Sequence, residues 1–313
     1  METQDTHESN ALPAFSDGLA GAVERAGGAI VAINARQRIP SSGILWREGV
    51  IAAADHTIKR EEEITVLLPD GRTVPATLAG RDPGTDLAVL KFDSAGLGPA
   101  EIGDTASLKV GHLVLAVGRV SEHGPSASLG VVSATGGAWR TWRGGMLDQF
   151  VRLDLAIYDG FSGGPLVDLQ GRVVGLNTSG LTRGGALTIP TATVNRVVDE
   201  ILARGHVRRA WLGVGMQPVQ LPEALRQRLN LTNEYGVIVL SVEPDGPADK
   251  SGMLVGDVLV ALGGAPVSDT DEVQAALGPE RVGQPLDAGL IRGGALVQLT
   301  ITVGERPQGR RRQ

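Results

Sequence analysis

The sequence predicts a mainly β chain of two domains, in which closed or packed antiparallel sheets come first and a smaller α+β unit follows. Glycine is abundant, at 44 residues, and aromatics are scarce, at 3%. That composition suits many short strands and tight turns better than a helical bundle. Short apolar runs recur at close intervals, separated by turn dipeptides such as Asp70-Gly71 and Pro83-Gly84. The first long helical pattern comes only at residues 193–204. A chain of 313 residues with 42% hydrophobic content is long enough to bury two cores.

Taken in order, residues 1–13 lack periodicity and read as an unstructured terminus. Leu19, Val23 and neighbouring alanines predict a short helix over 15–25, capped near Ser16 or Asp17. Strands are predicted at 29–33, 49–53, 64–68, 74–79, 87–92, 113–117, 129–134, 151–153, 166–167 and 173–177. Over 193–204, Val194, Val197, Val198, Ile201 and Leu202 fall at helical spacing, with a threonine to cap the helix and Gly205 to stop it. Its apolar stripe reads as packing against the sheets. The first domain is thus placed at 14–204, a linker at 205–209 and the second domain at 210–304.

In the second domain RAWLGVGM, GVIVLSV and GDVLVALGG read as strands, followed by a pair at 286–290 and 296–303. In the last, Val297, Leu299, Ile301 and Val303 alternate with Gln298, Thr300 and Thr302, the period of a half-buried strand. Short helices fit at 247–251 and 271–277. Residues 305–313 read as a basic, unstructured tail.

Several function classes are disfavoured by composition. The net charge is −6 and the pI about 5.5, so nucleic acid is not an expected partner; the terminal RPQGRRRQ reads as a solvated end. With no cysteine, disulfides and thiolate metal sites are excluded, and His7, His56, His112, His123 and His206 show no metal-ligand spacing. No cofactor is expected. METQDTHESN has no basic region followed by an apolar core, so neither a signal peptide nor a membrane anchor is predicted. As written, the chain is expected to be cytoplasmic, or periplasmic or otherwise exported if an N-terminal segment was removed.

The stretch IYDGFSGGPL, residues 157–166, is the most informative. Ser162 lies among glycines, where a backbone can bend tightly and turn its own N–H groups toward a ligand. A serine there is a candidate nucleophile, given a base, an orienting carboxylate and donors for an oxyanion. GFSGG fits the elbow of α/β-hydrolases, but there the acid and then the histidine must follow the serine, and only His206 follows it. GFSGGP also fits the nucleophile loop of chymotrypsin-like proteases, in which histidine and then aspartate precede serine. His56 in AAADHT and Asp86 in DPGTDLAVLK supply that order, so the triad His56, Asp86 and Ser162 is the reading adopted.

Seven strings, in order, resemble the HtrA (Deg) family of PDZ serine proteases over about residues 15–304: ITVLLPDGRTVPATLAGRDPGTDLAVLK, LKVGHLVLAVG, LGVVSATG, GFSGGPLVDLQGRVVGLNT, IPTATVNRVVDEILARG, WLGV and EPDGPADKSGMLVGDVLVALGG. The resemblance implies a chymotrypsin-like double β-barrel followed by one PDZ domain, an ATP-independent serine endopeptidase active on unfolded or damaged proteins, and a homotrimer, with Phe15 a candidate contact. It places an oxyanion hole at Gly160 and Ser162 with Phe161. It places the specificity pocket at Ala156, with Leu176, Asn177, Thr178 and Ser179 on the opposite wall. The PDZ domain is expected to bind C-termini or extended segments by strand addition and to regulate activity. Its groove would involve Trp211, Leu212, Gly213, Val214 and Met216 on one side and Val273 and Leu277 on the other.

Several positions depart from the family and qualify these expectations. Tyr158-Asp159 stands where the family has Asn-Pro, Phe161 occupies its asparagine position, and the loop 118–125 lacks Gly-Asn-Pro. A carboxylate beside the oxyanion pocket would oppose the developing charge unless it points to solvent. The alternative function is therefore a weak or inactive relative acting as a scaffold or holdase through its PDZ domain.

Overall fold

A computed structural model describes residues 11–94, 96–182 and 185–307. Two compact units divide between Val207 and Arg208. The predicted disorder of residues 1–10 lies outside the described residues. Residues 11–13, expected to be unstructured, open a helix instead: α1 spans Ala11–Gly27. Pro13 is compatible with this because a helix's first turn has no use for its missing N–H.

Six strands form the first barrel: β1 (Ile30–Asn34), β2 (Ser41–Arg47), β3 (Val50–Ala54), β4 (Ile64–Leu67), β5 (Thr73–Asp82) and β6 (Leu87–Phe92), closed in the order β1-β2-β3-β6-β5-β4. The second contains β7 (Leu113–Gly118) and β8 (Ser126–Gly136). A small hairpin, β9 (Trp139–Arg140) and β10 (Met146–Leu147), leads on to β11 (Phe150–Asp154), β12 (Pro165–Val167), β13 (Val173–Thr178) and β14 (Ala186–Pro190). This barrel closes as β11-β14-β13-β12-β7-β8, antiparallel throughout. Two closed barrels without parallel strands exclude the α/β-hydrolase architecture.

Three apolar layers hold this unit together. Ile51, Ala53, Ala88 and Leu90 point into the first barrel, and Val114, Val132, Leu166 and Val174 into the second. The alternate side chains of the same strands, Val50, Ala52, Ala54, Leu87, Val89, Leu115, Val117, Val173 and Leu176, meet between the barrels. Strands buried on both faces read as continuous apolar runs. Each fully buried aliphatic side chain here contributes roughly 1.5–3 kcal/mol of transfer free energy.

A second helix, α2 (Thr191–Arg204), lays Val194, Val197, Val198 and Ile201 on the inter-barrel layer. The predicted threonine cap is absent. Pro190 takes the cap position, and the N–H of buried Thr191 is satisfied by Thr105 Oγ1 at 2.8 Å, from a short 3₁₀ turn. Gly205 ends the helix as expected, at φ 81°, its N–H donating to Ile201 O.

The second unit is a sheet of β16 (Val214–Gln220), β17 (Tyr235–Val242), β18 (Val258–Leu262), β20 (Pro285–Arg292) and β21 (Ala295–Thr302), with β19 (Ala265–Pro266) on β18. Its helices are α3 (Glu223–Leu229), α4 (Pro247–Lys250) and α5 (Thr270–Ala275). Its ends are tied where β15 (Ala210–Trp211) pairs with β22 (Gly304–Glu305), so Glu305 belongs to a strand rather than to a tail; residues 308–313 lie outside the described residues.

One buried ion pair anchors this unit. Asp257, almost without exposure, accepts Arg292 Nε and Nη2 at 2.8 and 2.7 Å and Leu254 N–H at 2.8 Å. Burial alone would raise its pKa; the bonds from Arg292 and Leu254 outweigh it and hold the carboxyl below its ordinary value. A lowered folded-state pKa means stability that is complete above the unfolded value of about 3.9 and is lost as pH falls through the folded one. Asp257→Asn should therefore destabilise this unit by roughly 3 kcal/mol at neutral pH and flatten the acid limb of its stability curve, as read by urea unfolding at a series of pH values.

Candidate active site

The site assembles where the barrels meet. His56 sits on a one-turn 3₁₀ helix, Asp55–Thr57, directly after β3, and Asp86 immediately precedes β6, the strand paired with β3. Neighbouring strands thus deliver base and acid side by side. His56 Nδ1 lies 2.7 Å from Asp86 Oδ2, and the His56 backbone N–H donates to Asp86 Oδ1 at 2.9 Å. A carboxylate only accepts, so the Nδ1 proton belongs to this bond and Nε2 is left as the basic nitrogen. Asp86 is fully buried, and the Thr178 hydroxyl at the end of β13 donates to the same Oδ2. Such convergence of donors is what a buried carboxylate requires.

The turn bearing His56 has its own clamp. Arg81 on β5 pairs with buried Asp55 through Nε and donates Nη2 to the carbonyls of Asp55 and Ile58 at 3.1 and 3.0 Å. On the Asp86 side, Asp82 accepts Gly84 N–H and the Thr85 hydroxyl, and Thr141 Oγ1 donates to Gly84 O at 2.6 Å.

Ser162 lies on a tight loop between β11 and β12. Gly160 adopts φ 90°, a left-handed conformation open chiefly to glycine. The Gly160 carbonyl accepts both the N–H and the hydroxyl of Ser42, at 2.8 and 2.7 Å, and the Ser42 oxygen accepts Arg119 N–H at 2.9 Å. Arg119 is itself buried, its guanidinium donating to the carbonyls of Ile30 and Gly27, and burial draws its pKa below the ordinary arginine value. On the loop's far side, Gly163 N–H donates to Asn177 O and Asn177 N–H to Gly164 O. Loop and β13 are therefore pinned together.

Among the described residues, no acceptor takes the N–H of Gly160 or of Ser162. These are the two donors expected of an oxyanion pocket. Phe161 is the correction: its N–H is used by Tyr158 O at 3.0 Å, and its ring is buried, edge-on to Tyr158 at 5.3 Å. Asp159 is exposed, so its charge is largely screened by solvent.

The expected pocket wall is also revised. Leu176 is buried in the inter-barrel layer, the Asn177 amide donates to Pro165 O at 2.7 Å, and Thr178 serves Asp86. The reason is position: β13 lies between β12 and β14, with both faces covered. Of the five residues only Ala156 and Ser179 are exposed. Sequence reasoning missed the parts played by Ser42, Arg119, Gly180 and the Thr178 hydroxyl. The string NTSG, which closes β13 and pairs with the nucleophile loop, was the one signal available for the last two.

In the second unit, the loop 210–214 has its carbonyls used and two of its N–H groups left over. Leu212 and Gly213 carbonyls accept Ala248 and Glu243 N–H, while no described acceptor takes the N–H of either residue. Val214 and Met216 are partly buried on β16. Leu212, Val273 and Leu277 belong to the domain's core rather than to an open groove, because their side chains close the layer beneath β16 and α5.

Comparison with known proteins yields consistent likenesses. The family described as "Trypsin-like peptidase domain" matches residues 41–176, and that described as "PDZ domain" matches 210–303. A "Probable periplasmic serine endoprotease DegP-like" of Ectopseudomonas mendocina is 35% identical over 277 residues, covering 87% of this chain and 57% of the relative. One from Halomonas elongata is 34% identical over 281 residues, 88% of this chain and 58% of that one. The chain thus spans little more than half the length of these curated relatives. Among solved structures, "HtrA-type protease AlgW with decapeptide" aligns with a TM-score of 0.76 at 31% identity, over 93% of this chain and 99% of that one. The serine endoprotease from Yersinia pestis gives 0.75 at 30%, over 92% and 98%. The relatives are named as periplasmic, and the cytoplasmic placement drawn from the N-terminal residues finds no support in them.

Gly180 offers a direct test of the His56–Asp86 geometry. A Cβ there would lie 2.6 Å from Asp86 Oδ2 and 2.7 Å from His56 Nδ1, closer than atoms can approach. Gly180→Ala should force the pair apart, so that the downfield imidazole N–H signal of the wild type shifts or is lost in proton NMR while the fold is retained.

Proposed function

The chain belongs to the HtrA family of serine proteases with a trypsin-like domain and a PDZ domain, and on that footing we propose that it hydrolyses peptide bonds of unfolded or damaged proteins through His56, Asp86 and Ser162. The observation that carries this reading is the alignment of donors and acceptors. His56 Nδ1 is bonded to a buried, fully satisfied carboxylate, Nε2 is left as the basic nitrogen, and the N–H groups of Gly160 and Ser162 have no acceptor among the described residues.

In the proposed reaction the Ser162 Oγ–C bond forms as its proton passes to His56 Nε2, and Asp86 holds the imidazole tautomer and stabilises its cation. The oxyanion rests on the N–H groups of Gly160 and Ser162, each such donor being worth roughly 3 kcal/mol at the transition state. His56 then protonates the leaving amine, and water repeats the sequence on the acyl-enzyme. Asp55–Arg81 and Ser42–Arg119 act at one remove, by holding the His56 turn and the Gly160 peptide.

The peptidase domain is assigned to the first compact unit, from α1 to Val207, and the PDZ domain to 210–305, the latter taking peptide C-termini or extended segments at 210–214 and regulating activity. A neutral Ala156 favours small or medium apolar residues before the cut. An exported, periplasmic location, in keeping with the relatives' names, and a homotrimer complete the proposal. A second reading, a scaffold or holdase, has one observation in its favour: Ser162 bonds to Ser179 rather than to His56.

Digestion of an unfolded, cysteine-free protein, with products mapped by mass spectrometry, decides between them. Wild type should cut after small apolar residues, and Ser162→Ala should lose at least about four orders of magnitude in kcat. Absence of cleavage, with both proteins suppressing aggregation of the client, would establish the holdase instead.

A further inference from the structure

Ser179 stands between the nucleophile and the base. Its Oγ lies 3.1 Å from Ser162 Oγ and 3.5 Å from His56 Nε2, and its N–H donates to Ser162 Oγ at 3.3 Å. Ser162 and His56 share no hydrogen bond with each other. The placement of Ser179 is set by its neighbours: Thr178 is committed to Asp86, Gly180 N–H donates to Thr178 Oγ1 at 2.9 Å, and Asn177 is paired with the nucleophile loop.

The roles in this chain can be assigned. Since Nδ1–H is given to Asp86, Nε2 accepts, and its nearest donor is the Ser179 hydroxyl. Ser162 O–H then donates to Ser179 Oγ and in return accepts Ser179 N–H. A contact of 3.5 Å is at the limit of a hydrogen bond and too weak to serve as a proton wire, whereas the two contacts to Ser162 are within range.

Resting on the reading of Ser162 as nucleophile, we propose that Ser179 is a positioning residue that holds the nucleophile off its base in the free enzyme. Attack then begins with Ser162 turning from Ser179 to His56. Its proton moves to Nε2 as the Oγ–C bond forms, and the price of the turn is the loss of both bonds to Ser179.

The test compares wild type, Ser179→Ala and Ser179→Thr in covalent labelling of Ser162 by a fluorophosphonate, in kcat and KM on a peptide, and in crystal structures. Position 179 is exposed, so both variants should fold. Ser179→Ala should label about five- to tenfold faster, with kcat raised, KM within about twofold and an unmoved pH midpoint, since removing one modest hydrogen bond changes an equilibrium by about that factor. Ser179→Thr, which keeps the hydroxyl, should retain the slow rate. Equal or slower labelling of Ser179→Ala overturns the proposal, a slower rate meaning that the hydroxyl passes the proton. In the crystal, Ser162 of Ser179→Ala should lie within hydrogen-bond reach of His56 Nε2; if it stays turned away, the proposal fails whether or not the enzyme turns over. If Ser162 does reach His56 yet neither protein labels, the positioning role stands and the protease reading falls.

Discussion

A carboxylate with no access to water is the constraint on which the first unit is built. Asp86 is fully buried and adopts φ 59°, an uncommon backbone state for a residue with a side chain. Leaving such a charge unpaired would cost several kcal/mol, so donors must come to it from every side. They come from both barrels: the backbone and ring of His56 after β3, and the hydroxyl of Thr178 at the end of β13. Registering these three groups requires the inter-barrel layer to be packed in one way only. Satisfying Asp86 and docking the barrels are therefore a single problem, and its solution also sets where Nε2 faces.

Secondary supports follow the same logic at lower cost. Arg81 fastens the His56 turn through a buried partner, and Ser42 fixes the Gly160 peptide by donating twice to one carbonyl. Arg119 extends that second support to the carbonyls at the end of α1 and the start of β1, and among the described residues no carboxylate partners its guanidinium. In this chain Phe161 adds an apolar plug beneath the loop, its ring packed over Gly118, where any Cβ would collide with it. Tyr158, Asp159 and Phe161 thus alter how the loop is held and leave the N–H groups of Gly160 and Ser162 without a described acceptor.

Much of the fold was legible because period and punctuation carried it. The ten strands expected in the first unit all exist, with ends displaced by a few residues, and the alternation of Val297, Leu299, Ile301 and Val303 appears as a graded burial along β21. Strand β2 was missed: SSGILWR is buried along nearly its whole length, and without alternation it resembles any apolar stretch. Strand β14, ALTIP, was hidden for the same reason, and α3 because its surface stripe is short. In the site, residue order disclosed His56, Asp86 and Ser162, since each sits in a distinctive string. The pocket wall was not legible in that way. Whether Leu176 faces a cleft or a core depends on which strands flank β13, and that is long-range information.

On the proposed reading, both units would hold an anionic oxygen with backbone rather than side chains. In each, two consecutive or near-consecutive N–H groups have no acceptor among the described residues: Gly160 and Ser162 in one, Leu212 and Gly213 in the other. All four residues are buried, and each pair includes a glycine at positive φ, 90° for Gly160 and 80° for Gly213, which lets neighbouring peptides turn their hydrogens to one side. A buried N–H without a partner costs about 1–3 kcal/mol, and native proteins rarely tolerate one. Two such pairs, each beside otherwise saturated carbonyls, are accounted for if an oxygen arrives from outside, transiently as an oxyanion at Ser162 and as a peptide carboxylate at the 210–214 loop. Each ligand oxygen would then take bonds that no described protein acceptor uses. Because backbone donors cannot rotate away, those bonds are available only to an oxygen in the right place.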